Sequence, residues 1–207
     1  MAVDLNDDNS LNEKAAIFWE KNKKYIIFGV ILFVAIYLST NFYFNNQKKS
    51  HFVASEIYQK IQLEFEDGDI NSYVVELKAK HSNSPYAGRA SLILAQSHAK
   101  NNKIDDALVE LDWVTNNSTE KSIKSLAWYS KAKLYLIKDE IDMAEKSANL
   151  INSQGYEGLK NIVLGDIYLS RKNNNKALEF YQLAFKFYIN KNDLSKVIKT
   201  KIDAIGS

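Results

Sequence analysis

Cysteine is missing from this 207-residue chain. That excludes disulfides, thiolate metal sites, a cysteine nucleophile and the acylated cysteine of a lipoprotein. Proline occurs once, at Pro85, and glycine only seven times, too few for a turn-rich β-sandwich of this length. The 27 basic residues include just two arginines, Arg89 and Arg171, and the net charge is +2. Without a guanidinium-rich surface, no nucleic-acid partner is expected. The three histidines, His51, His81 and His98, are scattered, with no H-E-x-x-H and no glycine-rich phosphate loop. Acid pairs such as Asp105-Asp106 and Asp139-Glu140 sit in or beside turns, where carboxylates favour a helix start. The residues therefore argue for a non-enzymatic chain with no catalytic residue, no metal and no cofactor.

What is present is, first, an uncharged run from Tyr25 to Phe44. At the helical rise, about 20 residues cover roughly the 30 Å hydrocarbon core of a bilayer. Tyr25 and the cluster from Tyr37 to Phe44 lie at or towards its ends. Lys21, Lys23 and Lys24 precede it and Lys48 and Lys49 follow, as interfacial anchors do. A cleaved secretory signal needs a shorter run, a basic start and a small cleavage site. Here Asp4, Asp7 and Asp8 make the start acidic and no such site follows. The expected division is a tail over 1–24, a transmembrane helix over 25–44 and one further domain over 45–207.

Alanine, leucine, lysine and glutamate at helical spacing make the remainder all-α. The first ten residues are expected to be disordered in isolation. Ser10 and Glu13 fit a capping box that opens an amphipathic helix over Leu11 to Lys21, suited to lie on a membrane or to dock a partner. After the span, His51 to Phe65 places Phe52, Ile57 or Tyr58, Ile61 and Phe65 on one stripe, continuous with the membrane helix or hinged near Asn45 to Gln47. The segment Asp67-Gly68-Asp69 reads as a turn rather than a calcium loop, since the later acidic loop positions are absent. Val74, Val75 and Leu77 begin the next helix.

An internal repeat follows. Small residues recur twelve positions apart at Ala95 and Ala107, at Ala132 and Ala144, and at Gly165 and Ala177. The starts are 37 and 33 residues apart, which brackets the 34-residue tetratricopeptide period. Leu94, Leu111 and Val114, then Trp128, Tyr135 and Ile151, then Leu164, Tyr168, Tyr181 and Ala184 supply bulk around the small positions. His98 and Lys131 depart from the pattern, and the closing proline is missing. Ser84-Pro85 predicts a cap and a first-turn proline; polar stretches at Lys100 to Lys103, Lys138 to Glu140 and Lys172 to Asn175 predict the turns inside three hairpins. A last helix over Asp193 to Ile205 should close the array. The fold class expected is thus an N-terminal transmembrane helix followed by an α-solenoid of degenerate helical hairpins.

Such an array lines its concave face with the first helix of each hairpin and binds extended peptides or partner helices there. By register, Arg89, Leu92, Gln96, Tyr129, Lys133, Ile162 and Asp166 should form that face.

The order of parts resembles the YfgM-like proteins of Gram-negative bacteria, ancillary subunits of the Sec translocon. The residues that carry the likeness are Ala16-Ile-Phe-Trp-Glu-Lys-Asn22 before the span, Ser55-Glu-Ile-Tyr-Gln59 after it, and Tyr86-Ala-Gly-Arg-Ala-Ser-Leu-Ile-Leu-Ala-Gln96 at the start of the repeats. The resemblance implies a single-pass inner-membrane protein with a cytoplasmic N-terminus and a periplasmic tetratricopeptide-like domain. It implies association with the SecYEG translocon and with a membrane-anchored periplasmic chaperone of the prolyl-isomerase type, and help in handing exported client proteins to chaperones. Lysines near the span favour that orientation only by four before it to three after it. A structural adaptor that joins envelope complexes without handling clients is the alternative.

Overall fold

The structure is a computed structural model that describes residues 6–65, 69–189 and 192–206, and side chains outside 6–11 and 192. The capping box at Ser10 and the segment Glu66 to Gly68 lie outside that description. All the described regular structure is helical. The helices are α1 (Asn6–Glu64), α2 (Asn71–Lys80), α3 (Pro85–Lys100), α4 (Ile104–Asn117), α5 (Lys121–Ile137), α6 (Ile141–Asn149), α7 (Glu157–Ser170), α8 (Asn174–Tyr188) and α9 (Asn192–Gly206). A 3-10 turn, Gln154–Tyr156, precedes α7. The chain divides into two compact units, Met1–Lys49 and Ser50–Ser207.

In the first unit, α1 runs without a break past Lys21 to Tyr25, where a separate amphipathic helix was expected to end. No proline or glycine occurs between Asn12 and Phe28, so nothing interrupts the helical backbone bonds. The apolar side chains between Tyr25 and Phe44 point outwards; Phe33 is 72% exposed and Phe42 71%. Exposure of that many large apolar groups is unfavourable in water and favourable in hydrocarbon, and the helix is long and apolar enough to cross a membrane. Its polar side chains bond locally. Thr40 donates to the carbonyl of Tyr37 and Asn22 to that of Phe18, so neither needs an outside partner.

The second unit begins with the last turns of α1, which pack with α2 and α3. Ala54, Ile57 and Ile61 form the buried stripe, joined by Ile70, Val74, Leu77, Ala87, Ala90 and Leu94. One expectation on the α1 stripe shifts: Phe52 points outwards, because the stripe through Ala54 is the one that packs with α2 and α3, and on α2 Val74 and Leu77 are buried while Val75 is exposed. Ser50 and the His81 ring share a 2.7 Å hydrogen bond and Tyr73 donates to Glu64 at 3.2 Å, tying α1 to α2.

Three hairpins follow, α3 with α4, α5 with α6 and α7 with α8, and each packs on the next. The six small residues of the repeat, from Ala95 to Ala177, are all buried at these crossings. Each hairpin turn is the same device. The chain takes a left-handed conformation at Asn102, Asp139 and Lys172, with φ of 59°, 61° and 58°. In each case two backbone N–H groups close the preceding helix. Lys103 donates to His98 and Asn102 to Ala99; Glu140 donates to Tyr135 and Asp139 to Leu136; Asn173 donates to Tyr168 and Lys172 to Leu169. This is the Schellman closure, built three times without glycine. The carbonyls of Lys103, Glu140 and Asn173 then accept from Ala107, Ala144 and Ala177, so the turn fixes how far into the second helix the small residue falls.

Left-handed backbone costs a side chain with a Cβ about 1–2 kcal/mol, less for Asn and Asp. Lys172 has neither exemption. Lys172→Gly should raise the unfolding free energy by about 0.5–1 kcal/mol after glycine's own entropy is counted, while Asn102→Gly should change it little. Urea midpoints of the two variants check this. A destabilised Lys172→Gly protein would contradict the left-handed turn.

Ser84 occupies the N-cap position before Pro85, but its hydroxyl makes no capping bond. Its Oγ and that of Ser91 are buried without a partner among the described residues. The proline supplies the helix start, since its missing N–H and fixed φ suit the first turn. Between the second and third hairpins, the buried Ser125 hydroxyl accepts from the N–H of Ser153 at 3.1 Å and of Asn152 at 3.4 Å, pinning the connecting loop to α5. Helix α9 closes the array, with Ile198 buried against α8 and the side of Ile162.

Candidate functional site: a groove between the first helices

Helices α3 and α5 are the first helices of neighbouring hairpins and lie side by side. Between them runs a groove of about 540 Å³. Its apolar lining includes Leu92, Ile93, Leu126, Leu134 and Ile137. Leu92, Ile93 and Leu126 are half-buried and Ile137 is exposed, while Leu134 is buried against α4, whose Leu111 also lines the groove. Tyr58 from the end of α1 lines it beside Arg89; Gln96 and Lys133 lie about two turns further along α3 and α5, with Ala99 and Ile137 beyond them.

Five of the seven residues expected on the concave face meet here: Arg89, Leu92, Gln96, Tyr129 and Lys133. Ile162 and Asp166 do not line this groove. Ile162 is 7% exposed and packs with Ala177, Tyr181 and Ile198. Asp166 accepts from the Tyr181 hydroxyl at 2.5 Å and from Lys201 Nζ at 2.6 Å. Helix α9 therefore brings its own lysine and isoleucine to the third hairpin.

Other lining residues were not singled out from the sequence. Leu126 and Ser130 lie 37 residues after Arg89 and Ile93, so the repeat spacing itself placed them at groove positions. Tyr58 lies on α1, outside the repeats, where its place on a helical stripe does not relate it to the groove.

The charges at the groove differ in how they are balanced. Arg89 is committed at both ends of its fork: Nη1 and Nη2 donate to the two Glu120 oxygens at 2.7 and 2.8 Å, and Nη1 also to the Pro85 carbonyl at 2.6 Å. This bidentate pair joins the first helix of one hairpin to the start of the next. Lys133 is exposed, lies 5.7 Å from the centre of the Tyr129 ring, and forms no ion pair among the described residues. Burial pushes the Tyr129 phenol above its ordinary value, with Asp166 adding to the shift; burial likewise raises Tyr58, partly opposed by Arg89. Both tyrosines are neutral hydrogen-bond donors near pH 7. Apolar walls with a few polar groups bind side chains and peptide backbone. Among the described residues no cluster of His, Asp or Glu is arranged to hold a metal ion.

Comparison with known proteins places this geometry. Residues 17–207 match the model of the tetratricopeptide repeat-like domain family. Three curated proteins named ancillary SecYEG translocon subunit are similar over nearly their whole length. That of Buchnera aphidicola is 23% identical over 89% of this chain and 96% of its own. That of Escherichia coli K12 is 23% identical over 97% of each, and that of Neisseria gonorrhoeae is 22% identical over 99% of this chain and 100% of its own. No solved structure matches significantly. The family match covers the end of the apolar helix's approach, the span and all three hairpins, and the chain belongs to the tetratricopeptide repeat-like domain family.

Proposed function

We propose that this chain is a membrane-anchored, non-enzymatic protein-binding module that associates with the SecYEG translocon and assists the hand-over of exported proteins. The observation that carries the reading is the open, largely apolar groove between α3 and α5, in a chain whose N-terminal helix is apolar enough to span a bilayer. The names of the three relatives supply the translocon. Residues 1–24 form the cytoplasmic tail, 25–44 the anchor in the inner membrane and 45–207 the periplasmic domain. Tethering raises the effective concentration of the groove at the membrane, so weak and promiscuous contacts suffice. The client would be passed on to a membrane-anchored periplasmic chaperone of the prolyl-isomerase type.

A photo-crosslinking side chain at Tyr129 in inner-membrane vesicles and spheroplasts tests this. Adducts with exported chains and with translocon subunits are expected. Translocon adducts without exported chains would mean a structural adaptor, and neither would defeat the proposal. Protease added to spheroplasts should digest residues 45–207 and spare the N-terminal tail.

A further inference from the structure

Resting on the reading of the groove as a protein-binding surface, we infer that it selects apolar peptide segments that carry an acidic side chain, held by Gln96 and Lys133. Gln96 and Lys133 are 37 residues apart, as are Ala95 and Ala132, so they occupy one level on two adjacent first helices. Both are exposed, and both line the groove. Each carries only hydrogen-bond donors or an amide free to turn one towards a ligand. The Gln96 amide makes no hydrogen bond and Lys133 no ion pair among the described residues.

The rest of the electrostatics removes the competing cations and anions. Arg89 is balanced by Glu120. Asp166, 33 residues after Lys133 and at the same level of the third hairpin, is balanced by Lys201. Among the described residues no carboxylate lines the groove. An apolar trough whose lining carries, among the described residues, one cation without an ion pair is complementary to an apolar segment that carries Asp or Glu, and opposes one that carries Lys or Arg. The third hairpin already displays the pairing with signs reversed, a carboxylate on the first helix answered by a lysine from a docked helix.

The test uses the full chain in phosphatidylcholine nanodiscs, with empty discs as background. Two end-capped, fluorescein-labelled decapeptides share one leucine–serine pattern and differ only in carrying two Glu or two Lys. At low salt the Glu peptide should bind about tenfold tighter, as expected for an exposed attraction replaced by an exposed repulsion. Lys133→Glu should abolish or reverse that preference, and Gln96→Glu should reduce it by about threefold with the fold checked by circular dichroism. Equal binding of both peptides, or a preference that survives both substitutions, overturns the inference while leaving the groove a binding surface. Failure of both peptides to bind above empty discs overturns the inference and the binding reading together.

Discussion

Gly165→Ala should lower the unfolding free energy of the Ser50–Ser207 unit by about 1–2 kcal/mol, although alanine is the better helix former. A Cβ at Gly165 would lie 2.5 Å from Cδ1 and 2.9 Å from Cζ of Tyr181. Tyr181 has no room to retreat. It is fully buried, packs with Ala177, Ala184 and Ile198, and its hydroxyl is bonded to Asp166. Overpacking costs about 1–3 kcal/mol, and contacts this far below 3.0 Å put Gly165 in the upper part of that range, against about 1 kcal/mol gained in helix propensity. Gly29, whose Cβ would meet nothing within 4 Å, is the internal control: Gly29→Ala should leave the same unit unchanged. Urea unfolding of both variants decides it. A Gly165→Ala protein as stable as the parent would show that α7 and α8 do not cross as closely as described.

Asp112→Ala should cost about 2 kcal/mol through a residue that is itself half exposed. The reason lies in its partner. Lys131 is only 6% exposed, pairs with Asp112 and has its ammonium 4.5 Å from the centre of the Trp128 ring. Its repeat equivalents, 37 residues before and 33 after, are Leu94 and Leu164, both buried. A lysine therefore stands in an apolar position, and the carboxylate compensates for it. Breaking a wholly buried pair costs about 3–5 kcal/mol; water reaches Asp112, so the loss here is smaller. Lys131→Leu restores the side chain of the other two hairpins and should be neutral or stabilising. In that background Asp112→Ala should cost almost nothing. A cost that persists in the double variant would assign Asp112 some other partner.

These two sites mark where the sequence was and was not legible. Small residues at fixed separation are informative because a helix crossing tolerates little else, so the hairpins and their order followed from six positions. The concave face followed from the same register as far as the second hairpin. Lys131 broke the register visibly, but its partner Asp112 lies on α4, and nothing in a single sequence says that those two side chains meet. Ile162 and Asp166 stand apart from the groove for a similar reason: Lys201 reaches Asp166 across 35 residues. At the end of α1 the stripe held at Ile57 and Ile61 but began at Ala54 rather than Phe52, because the small alanine is what fits against the neighbouring helices. The continuous first helix could have been read, since no residue between Lys21 and Tyr25 breaks a helix.

The pattern of contacts has a kinetic consequence. Each substantial contact in the repeats joins an element to the next or to the next but one, as in α3 with α5 and α5 with α7. Average sequence separation between touching residues is therefore short, and loop-closure entropy is small at every step. A chain that appears in order from its N-terminal end finds the surface for each hairpin already formed. The unit should assemble vectorially, on a timescale of about microseconds to milliseconds, with no need to wait for its last helix.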